Sequence, residues 1–214
     1  MNNELKIKCL PVNPIAMNLY VVYRKGGEGV IIDPGCATES EFQRLFDFVE
    51  QEKIHITHIL LTHPHFDHMM GAARICREYN LPLELHEEAV EMLDTTVQST
   101  AAFGLPPIEK PQNLKPFRHH DTIAFADTHI EVRHTPGHCQ GSVSFVLPEL
   151  KSVFTGDALF NGSIGRTDFP TGDYDLLKKS IFEQLFVLDE DYQVRSGHGG
   201  RTTIEQEKYN NPFL

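Results

Sequence analysis

The chain lacks an apolar run long enough to cross a lipid bilayer, so we expect no helical membrane protein. A hydrophobic signal core is also missing behind the N-terminal stretch MNNELKIK, and we therefore expect no secretion. The four cysteines (Cys9, Cys36, Cys76 and Cys139) form no C-x-x-C pair, which fits reduced thiols in a cytoplasmic protein. These absences predict a cytoplasmic protein without a membrane partner.

Positive charge is also scarce, with 19 basic against 30 acidic side chains and a formal net charge of -11. Such a chain repels a phosphate backbone, so nucleic acid is not an expected partner. With 214 residues, 40% of them hydrophobic, the chain can bury a full core. Because it has no internal repeats and no low-complexity linker, we expect one domain over residues 1–214. A small-molecule substrate and a monomer or homodimer complete the prediction.

Short apolar runs alternate with amphipathic segments along the chain. Strands are expected within 5–33, and a capping box of Thr38 and Glu41 opens a helix predicted over 38–52. Further strands are expected at 58–62, 81–86, 121–125, 129–137, 142–148, 152–157 and 192–198, and further helices at 69–79, 87–93, 174–186 and 203–209. This order favours an α/β sandwich of two sheets with helices outside.

The segment from Thr95 to Arg118 differs from the rest, because it has four prolines and little periodicity. It is predicted to be a long loop, either a connector or a binding loop. As a binding loop it is expected to border the active-site opening and to offer Phe103 to the substrate.

The motif THPHFDH, residues 62–68, concentrates four potential metal ligands: His63, His65, Asp67 and His68. Consecutive ligands on a short backbone point in different directions, so one ion does not easily use all four. Three later donors each follow a glycine at the end of a β-like run: His138 in TPGHC, Asp157 in FTGDA and His198 in RSGHG. Glycine permits the sharp turn that swings such a ligand off a strand.

These donors divide between two metal ions. His63, His65 and His138 are expected to hold the first ion, and Asp67, His68 and His198 the second. Asp157 is expected to bridge both ions, which would share a hydroxide that Asp67 also orients. Imidazole and carboxylate ligands without thiolate suit zinc, iron or manganese. Five other histidines are expected to be structural: His55, His58, His86, His129 and His134.

The same motifs resemble the metallo-β-lactamase superfamily. THPHFDH matches the T-H-x-H-x-D-H motif of that family, and TPGHCQGS, FTGDALF and SGHGG supply its later His, Asp and His in order. The resemblance covers nearly the whole chain. It implies a four-layer αβ/βα sandwich, the metallo-β-lactamase fold, with a dinuclear site at one edge between the sheets.

Within that superfamily, GDALFNGSIGRTDFPTGDYDLL and GHGGRTTIEQEKYNNPFL are similar to short bacterial relatives of glyoxalase II, or hydroxyacylglutathione hydrolase. This resemblance implies hydrolysis of small acyl thioesters of the S-lactoylglutathione type, with two divalent cations and zinc as the expected metal. Longer glyoxalase II enzymes add a C-terminal helical glutathione-binding domain, which we expect to be missing because the chain stops at Leu214. The alternative is a mono-iron persulfide dioxygenase, whose family shares GRTDF and resembles this chain at His63, His138 and Asp157.

Two residues of the GRTD stretch are candidates for supporting roles. Arg166 is predicted to bind a substrate carboxylate or to secure the loop, and Asp168 to orient a ligating histidine. A local salt bridge between the two is the alternative. Asp33, just before Pro34 and Gly35, is expected to form hydrogen bonds in a turn rather than to bind metal.

Overall fold

Two six-stranded β-sheets organise the protein, which a computed structural model describes over residues 4–100, 104 and 107–214. The first sheet contains, in spatial order, Leu5–Val12 (β1), Met17–Arg24 (β2), Glu28–Ile32 (β3), His55–Leu60 (β4), Leu83–His86 (β5) and Leu114–Phe117 (β6). Strands β1 to β3 are antiparallel, whereas β3 to β6 are parallel.

The second sheet contains, in spatial order, Thr202–Thr203 (β14), Gln193–Ser196 (β13), Ser152–Gly156 (β10), Val143–Leu147 (β9), Thr128–His134 (β8) and Thr122–Phe125 (β7). Its β10 and β13 are parallel, and its other neighbours are antiparallel. A separate hairpin joins Leu159–Phe160 (β11) to Ser163–Ile164 (β12).

The helices are Glu39–Glu52 (α1), Phe66–Met69 (α2), Ala72–Tyr79 (α3), Glu87–Ser99 (α4), Tyr174–Ser180 (α5) and Ile204–Asn210 (α6). A 3-10 turn covers Pro148–Leu150, and a π-helical turn over Ile181–Leu185 continues α5. The predicted capping box is present at the start of α1, where the Thr38 hydroxyl accepts from the Glu41 amide and the Glu41 carboxylate accepts from the Thr38 amide. Among the described residues, no helix combines the length and the apolar character needed to cross a bilayer.

Three hydrophobic clusters show how the layers pack. One places the first sheet against α1, α3 and α4, with Leu45 and Ile75 fully buried. A second lies between the two sheets, where Tyr20 and Phe154 make an edge-to-face contact at 5.1 Å. The third packs the second sheet against α5, the π-helical turn and α6. The predicted four-layer αβ/βα sandwich is therefore confirmed.

Several predicted element bounds are wrong. The segment 95–118 is not one loop, because α4 continues to Ser99 and residues 114–117 form β6. Strand β6 has a proline and two exposed residues, so its sequence lacks the alternation of a half-buried strand. The helix predicted over 69–79 is divided at Gly71, the N-cap of α3. Strands as short as β11, β12 and β14 carry too few residues for a recognisable period.

The topology directs polar side chains to one edge of the sandwich. Strands β3 and β4 are parallel and end just before Asp33 and His63, while β10 and β13 are parallel and end just before Asp157 and His198. Carboxyl ends of neighbouring parallel strands lie at the same edge of a sheet, where α/β proteins commonly bind ligands. The loop after β8 brings His138 to the same edge.

Candidate metal centre

The structure brings the seven donors predicted from the sequence into one cluster. His63, His65 and His138 form its first group, with potential ligand atoms within 4.8 Å of one another. His65 Nδ1 and His138 Nε2 are 2.8 Å apart, and the His63 ring lies 4.7 Å from that of His65 and 4.9 Å from that of His138. These three imidazoles are arranged around one point, as ligands of a common ion must be.

Asp67, His68 and His198 form the second group, again with ligand atoms within 4.8 Å. Asp67 Oδ2 lies 3.1 Å from His198 Nε2 and 3.5 Å from His68 Nε2. Asp157 connects this group to the first. Its Oδ2 is 3.7 Å from His138 Nε2 and 3.7 Å from His198 Nε2, and its Oδ1 is 3.3 Å from His68 Nε2. One carboxylate thus faces donors of both groups, the position expected of a bridging ligand.

The residues fit divalent cations, as their unsatisfied atoms show. His63 Nε2, His68 Nε2 and Asp157 Oδ1 are buried without a hydrogen-bond partner among the described residues. Buried polar atoms are normally paired, so three unpaired atoms close together fit a site that binds a cation. A Cβ at Gly197 would overlap Asp157 Oδ1 and His68 Cε1, which explains why glycine is needed before His198. Imidazole and carboxylate donors suit zinc and first-row transition metals.

Asp33 orients two of the imidazoles from behind. Its Oδ1 accepts the Thr62 amide at 2.8 Å, and its Oδ2 accepts the Thr62 hydroxyl at 2.8 Å and His68 Nδ1–H at 2.9 Å. The Thr62 oxygen, having donated its proton, accepts from His63 Nδ1 at 3.0 Å. In both rings Nδ1 is therefore the donor to this network, and Nε2 is the atom that faces the centre and can bind a metal. Asp33 forms hydrogen bonds rather than ligating, as its sequence context predicts.

His138 is oriented by a backbone oxygen rather than by the predicted aspartate. Its Nδ1 donates to the Arg166 carbonyl at 2.7 Å. The Asp168 carboxylate instead accepts from the Arg166 guanidinium at 2.7 and 2.6 Å in an exposed pair. The expectation that Asp168 orients a ligating histidine is therefore wrong, because its carboxylate accepts from Arg166 and from no histidine among the described residues. The local salt bridge is the arrangement found.

The cluster has both neutral and charged members. Burial holds the pKa of His63 and of His138 below the usual value, and lowers that of His65 to about 3. Burial opposes charge on His68 as well, but Asp33, Asp157 and Asp67 outweigh it and raise its pKa well above the usual value. Burial likewise disfavours the charged form of Asp157, but His68 and His138 keep its pKa low. The first group therefore offers neutral imidazoles beside an ionised carboxylate near pH 7.

Comparison with known proteins agrees with this geometry. The family model for the metallo-beta-lactamase superfamily matches residues 14–198. The chain belongs to the metallo-β-lactamase superfamily. Hydroxyacylglutathione hydrolase GloC of Haemophilus influenzae is 36% identical over 212 residues, which cover 98% of each chain. The crystal structure of TTHA1623 in a di-iron-bound form is 35% identical with a TM-score of 0.85, covering 97% of this chain and 100% of that one. The BLEG-1 B3 metallo-beta-lactamase structure is also 35% identical with a TM-score of 0.85, covering 98% and 99%.

Membership of the metallo-β-lactamase superfamily supports a metal-dependent hydrolase, and the structure provides a cavity for its substrate. The cavity is about 830 Å³ and opens onto the metal centre. Its apolar wall consists of Ile15, Phe66, Met92, Phe160, Phe169 and Pro170. Among the described residues that line the cavity, Arg166 alone is a lysine or arginine. Its guanidinium lies 4.1 Å from the Phe169 ring.

Of the two predicted substrate-binding residues, the structure describes one. Arg166 lines the cavity, as predicted, whereas Phe103 lies outside the described residues. Thr95 and Thr96 of the predicted binding loop also line the cavity, but they belong to helix α4. The other described residues of that segment, 97–100, 104 and 107–118, do not line the cavity.

Other contributors carry no recognisable sequence signal. Asn13 Nδ2 donates to the Asp67 carbonyl at 2.9 Å and to the Gly35 carbonyl at 3.2 Å, which fixes the start of α2. Asn18 Nδ2 donates to the carbonyls on either side of His198, at Ser196 and Gly199. These contacts span large sequence separations, so a local motif does not reveal them.

Proposed function

We propose that the protein hydrolyses small acyl thioesters with the help of two divalent metal ions, and that both native ions are zinc. The observation that carries the proposal is the position of Asp157 between the two groups. Its Oδ2 lies 3.7 Å from Nε2 of His138 in the first group and 3.7 Å from Nε2 of His198 in the second. The relative from Haemophilus influenzae, which bears the name hydroxyacylglutathione hydrolase, supports the thioester class. When bound, two such cations lower the pKa of a water molecule and polarise a carbonyl oxygen.

The residues of the chain supply the rest of the chemistry. His63, His65 and His138 are the proposed ligands of the first cation, and Asp67, His68 and His198 of the second, with Asp157 between them. Burial opposes ionisation of Asp67, but His68 and His198 lower its pKa, so its carboxylate is ionised and can accept a hydrogen bond that orients a nucleophilic water. A thiolate leaves a tetrahedral carbon without strong acid assistance, so the centre needs no dedicated general acid for this substrate.

The cavity suggests which part of the substrate is recognised. Its apolar wall, with Met92 and Phe169, is suited to a small acyl group beside the metals. Arg166 offers a charge for a carboxylate of the thiol carrier, but its side chain is 57% exposed and already paired with Asp168. Solvent and the paired carboxylate weaken such a contact. We therefore propose loose selectivity for the carrier.

Steady-state kinetics of zinc-loaded protein test this proposal. S-lactoylglutathione and a simpler lactoyl thioester should have kcat/KM values within about tenfold, or roughly 1.4 kcal/mol of transition-state stabilisation. A preference of several orders of magnitude for the glutathione ester would contradict loose selectivity. A β-lactam such as nitrocefin serves as a comparison substrate and should be turned over more slowly. Absence of thioester turnover, with oxygen uptake on glutathione persulfide by iron-loaded protein, would instead support the dioxygenase.

A further inference from the structure

A second group of metal-ligand side chains lies outside the hydrolytic centre. It contains His86, the last residue of β5, Glu88 in the first turn of α4, and His134, the last residue of β8. Each offers a ligand atom, and these atoms lie within 4.8 Å of one another. Strand β5 belongs to the first sheet and β8 to the second, so the group bridges the two sheets. None of its members is among the seven donors described above.

The imidazole of His134 has an unsatisfied atom. Its Nε2 is buried and has no hydrogen-bond partner among the described residues, and Glu88 Oε2 lies 3.7 Å away. That separation is too long for a hydrogen bond, although it leaves room for an ion between the two atoms. In the hydrolytic centre, the same combination of an orphaned imidazole nitrogen and a nearby carboxylate marks metal ligands.

Both imidazoles are in the protonation state that a metal requires. His86 is almost fully buried, and its ring stacks on that of His134 at 4.1 Å. Burial lowers the pKa of His86, and burial together with His86 lowers that of His134. Two rings at this distance disfavour protonation of each other, so the pair remains neutral near pH 7. Neutral imidazole is a common ligand of divalent transition metals.

We propose that His86, Glu88 and His134 bind one divalent transition-metal ion, separately from the hydrolytic centre. Two imidazoles and a carboxylate form a donor set suited to Zn²⁺, with water able to complete the coordination. This proposal replaces the expectation from the sequence that both histidines are structural. A local sequence motif does not show this group of ligands, because β5 and β8 lie far apart in the sequence.

Binding requires a small rearrangement that the structure permits. The stacked rings are parallel within 12°, so their lone pairs run side by side, and one ring must turn for them to converge. His86 Nδ1 makes a capping contact of 3.4 Å with the Glu88 amide, which is long and easily given up. The N-terminus of α4 disfavours a cation, but Glu87 and Glu88 in its first turn offset this effect.

Metal stoichiometry tests the proposal. Purified protein, stripped and then equilibrated with micromolar Zn²⁺, should bind one equivalent more than His134→Ala by elemental analysis. Glu88→Gln, which nearly preserves size, should lose the same equivalent, and it keeps the test valid if removing the stacked ring unfolds the protein. His129→Ala provides the matched control, because His129 is an exposed residue of the same strand and should bind as the wild type does.

The outcomes separate this site from the hydrolytic centre. Thioester hydrolysis by Glu88→Gln should stay within about twofold of the wild type, and X-ray anomalous scattering should locate the additional ion at His134. Equal stoichiometry in the wild type and both site variants would overturn the proposal. Failure of thioester hydrolysis in every protein would contradict the proposed function only, since the difference in bound metal does not depend on turnover.

Discussion

Asp33 illustrates how a residue outside the metal ligands determines what they can do. Its two oxygens accept three hydrogen bonds, from the Thr62 amide, the Thr62 hydroxyl and His68 Nδ1. Through the Thr62 hydroxyl, the same carboxylate also sets the orientation of His63. One side chain thus fixes the tautomers of one proposed ligand from each group. Loss of a partner of this kind typically lowers metal affinity or activity by about 10–100-fold.

We predict that Asp33→Asn lowers metal affinity about 10–100-fold. Asparagine tolerates the left-handed backbone at this position, where φ is 56°, so the turn should persist. Its amide nitrogen, however, would face the hydroxyl and Nδ1–H donors that Oδ2 now accepts. Competition against a fluorescent zinc chelator measures the affinity. Asp168→Asn is the matched control and should bind within about twofold, because Asp168 contacts Arg166 rather than a ligand. Unchanged binding by Asp33→Asn would contradict the tautomer argument.

The donors themselves were predictable because each carries a local signature. Four lie in one heptapeptide, and His138, Asp157 and His198 each follow a glycine at the end of a predicted strand. Their supporting partners were less predictable. The backbone carbonyl of Arg166 orients His138, and a carbonyl has no side-chain identity that a sequence pattern can show. The sequence instead offers Asp168 to orient a ligating histidine, with a local salt bridge to Arg166 as the alternative. Residue identities do not show which backbone groups will form hydrogen bonds with a given side chain.

At the scale of elements, the loop carrying His138 depends on close packing against α5. Gly137 has a φ of 122°, and its carbonyl accepts the Asp173 amide at 2.8 Å at the N-cap of that helix. The Ser180 hydroxyl donates to the Pro136 carbonyl, also at 2.8 Å. A Cβ at position 137 would overlap the backbone of Leu177. The position of the loop that carries His138 therefore depends on the position of α5.

We predict that Gly137→Ala lowers the free energy of unfolding by roughly 3 kcal/mol or more, since it combines backbone strain with overpacking. Bound metal should fall as well, because relief of the overlap displaces His138. Gly26→Ala is the matched control: its φ is also positive, at 69°, but its Cβ would meet no atom within 4 Å. That variant should lose only about 1–2 kcal/mol from strain. Urea denaturation measures both, and similar losses would show that packing on α5 is unimportant.

The elements that could be predicted are those with a strong period or a cap. Helix α1 has both, with Phe42, Leu45 and Val49 on its buried face. Strand β6 has no such signal, because it lies at the edge of the first sheet, where few of its side chains are buried. The sequence predicts ordinary helix where the π-helical turn follows α5, because buried Ile181 and Leu185 keep helical spacing. Periodicity reports burial, and it does not distinguish one helical hydrogen-bond pattern from another.

At the scale of the whole molecule, the metal centre connects the two halves of the sandwich. Four donors follow β4 of the first sheet, whereas His138, Asp157 and His198 follow strands of the second sheet. Between the halves, the Tyr20 hydroxyl of the first sheet donates to the Ser196 carbonyl of the second at 2.8 Å. Ions held by donors of both sheets would add a further connection. Bound ions would therefore stabilise the fold as well as take part in the chemistry.

The last prediction follows from that connection: removing metal should lower the melting temperature. Zinc at about 100 times its dissociation constant adds about 2.7 kcal/mol to the free energy of unfolding, provided that it binds only the folded state. For a chain of this size, that corresponds to a shift of roughly 5–10 °C. Differential scanning calorimetry of chelated and zinc-reloaded protein measures the shift. Asp157→Ala, which removes the carboxylate between the two groups, should respond less to zinc. A melting temperature independent of zinc in the wild-type protein would mean that the buried orphan atoms His63 Nε2 and His68 Nε2 are tolerated without an ion.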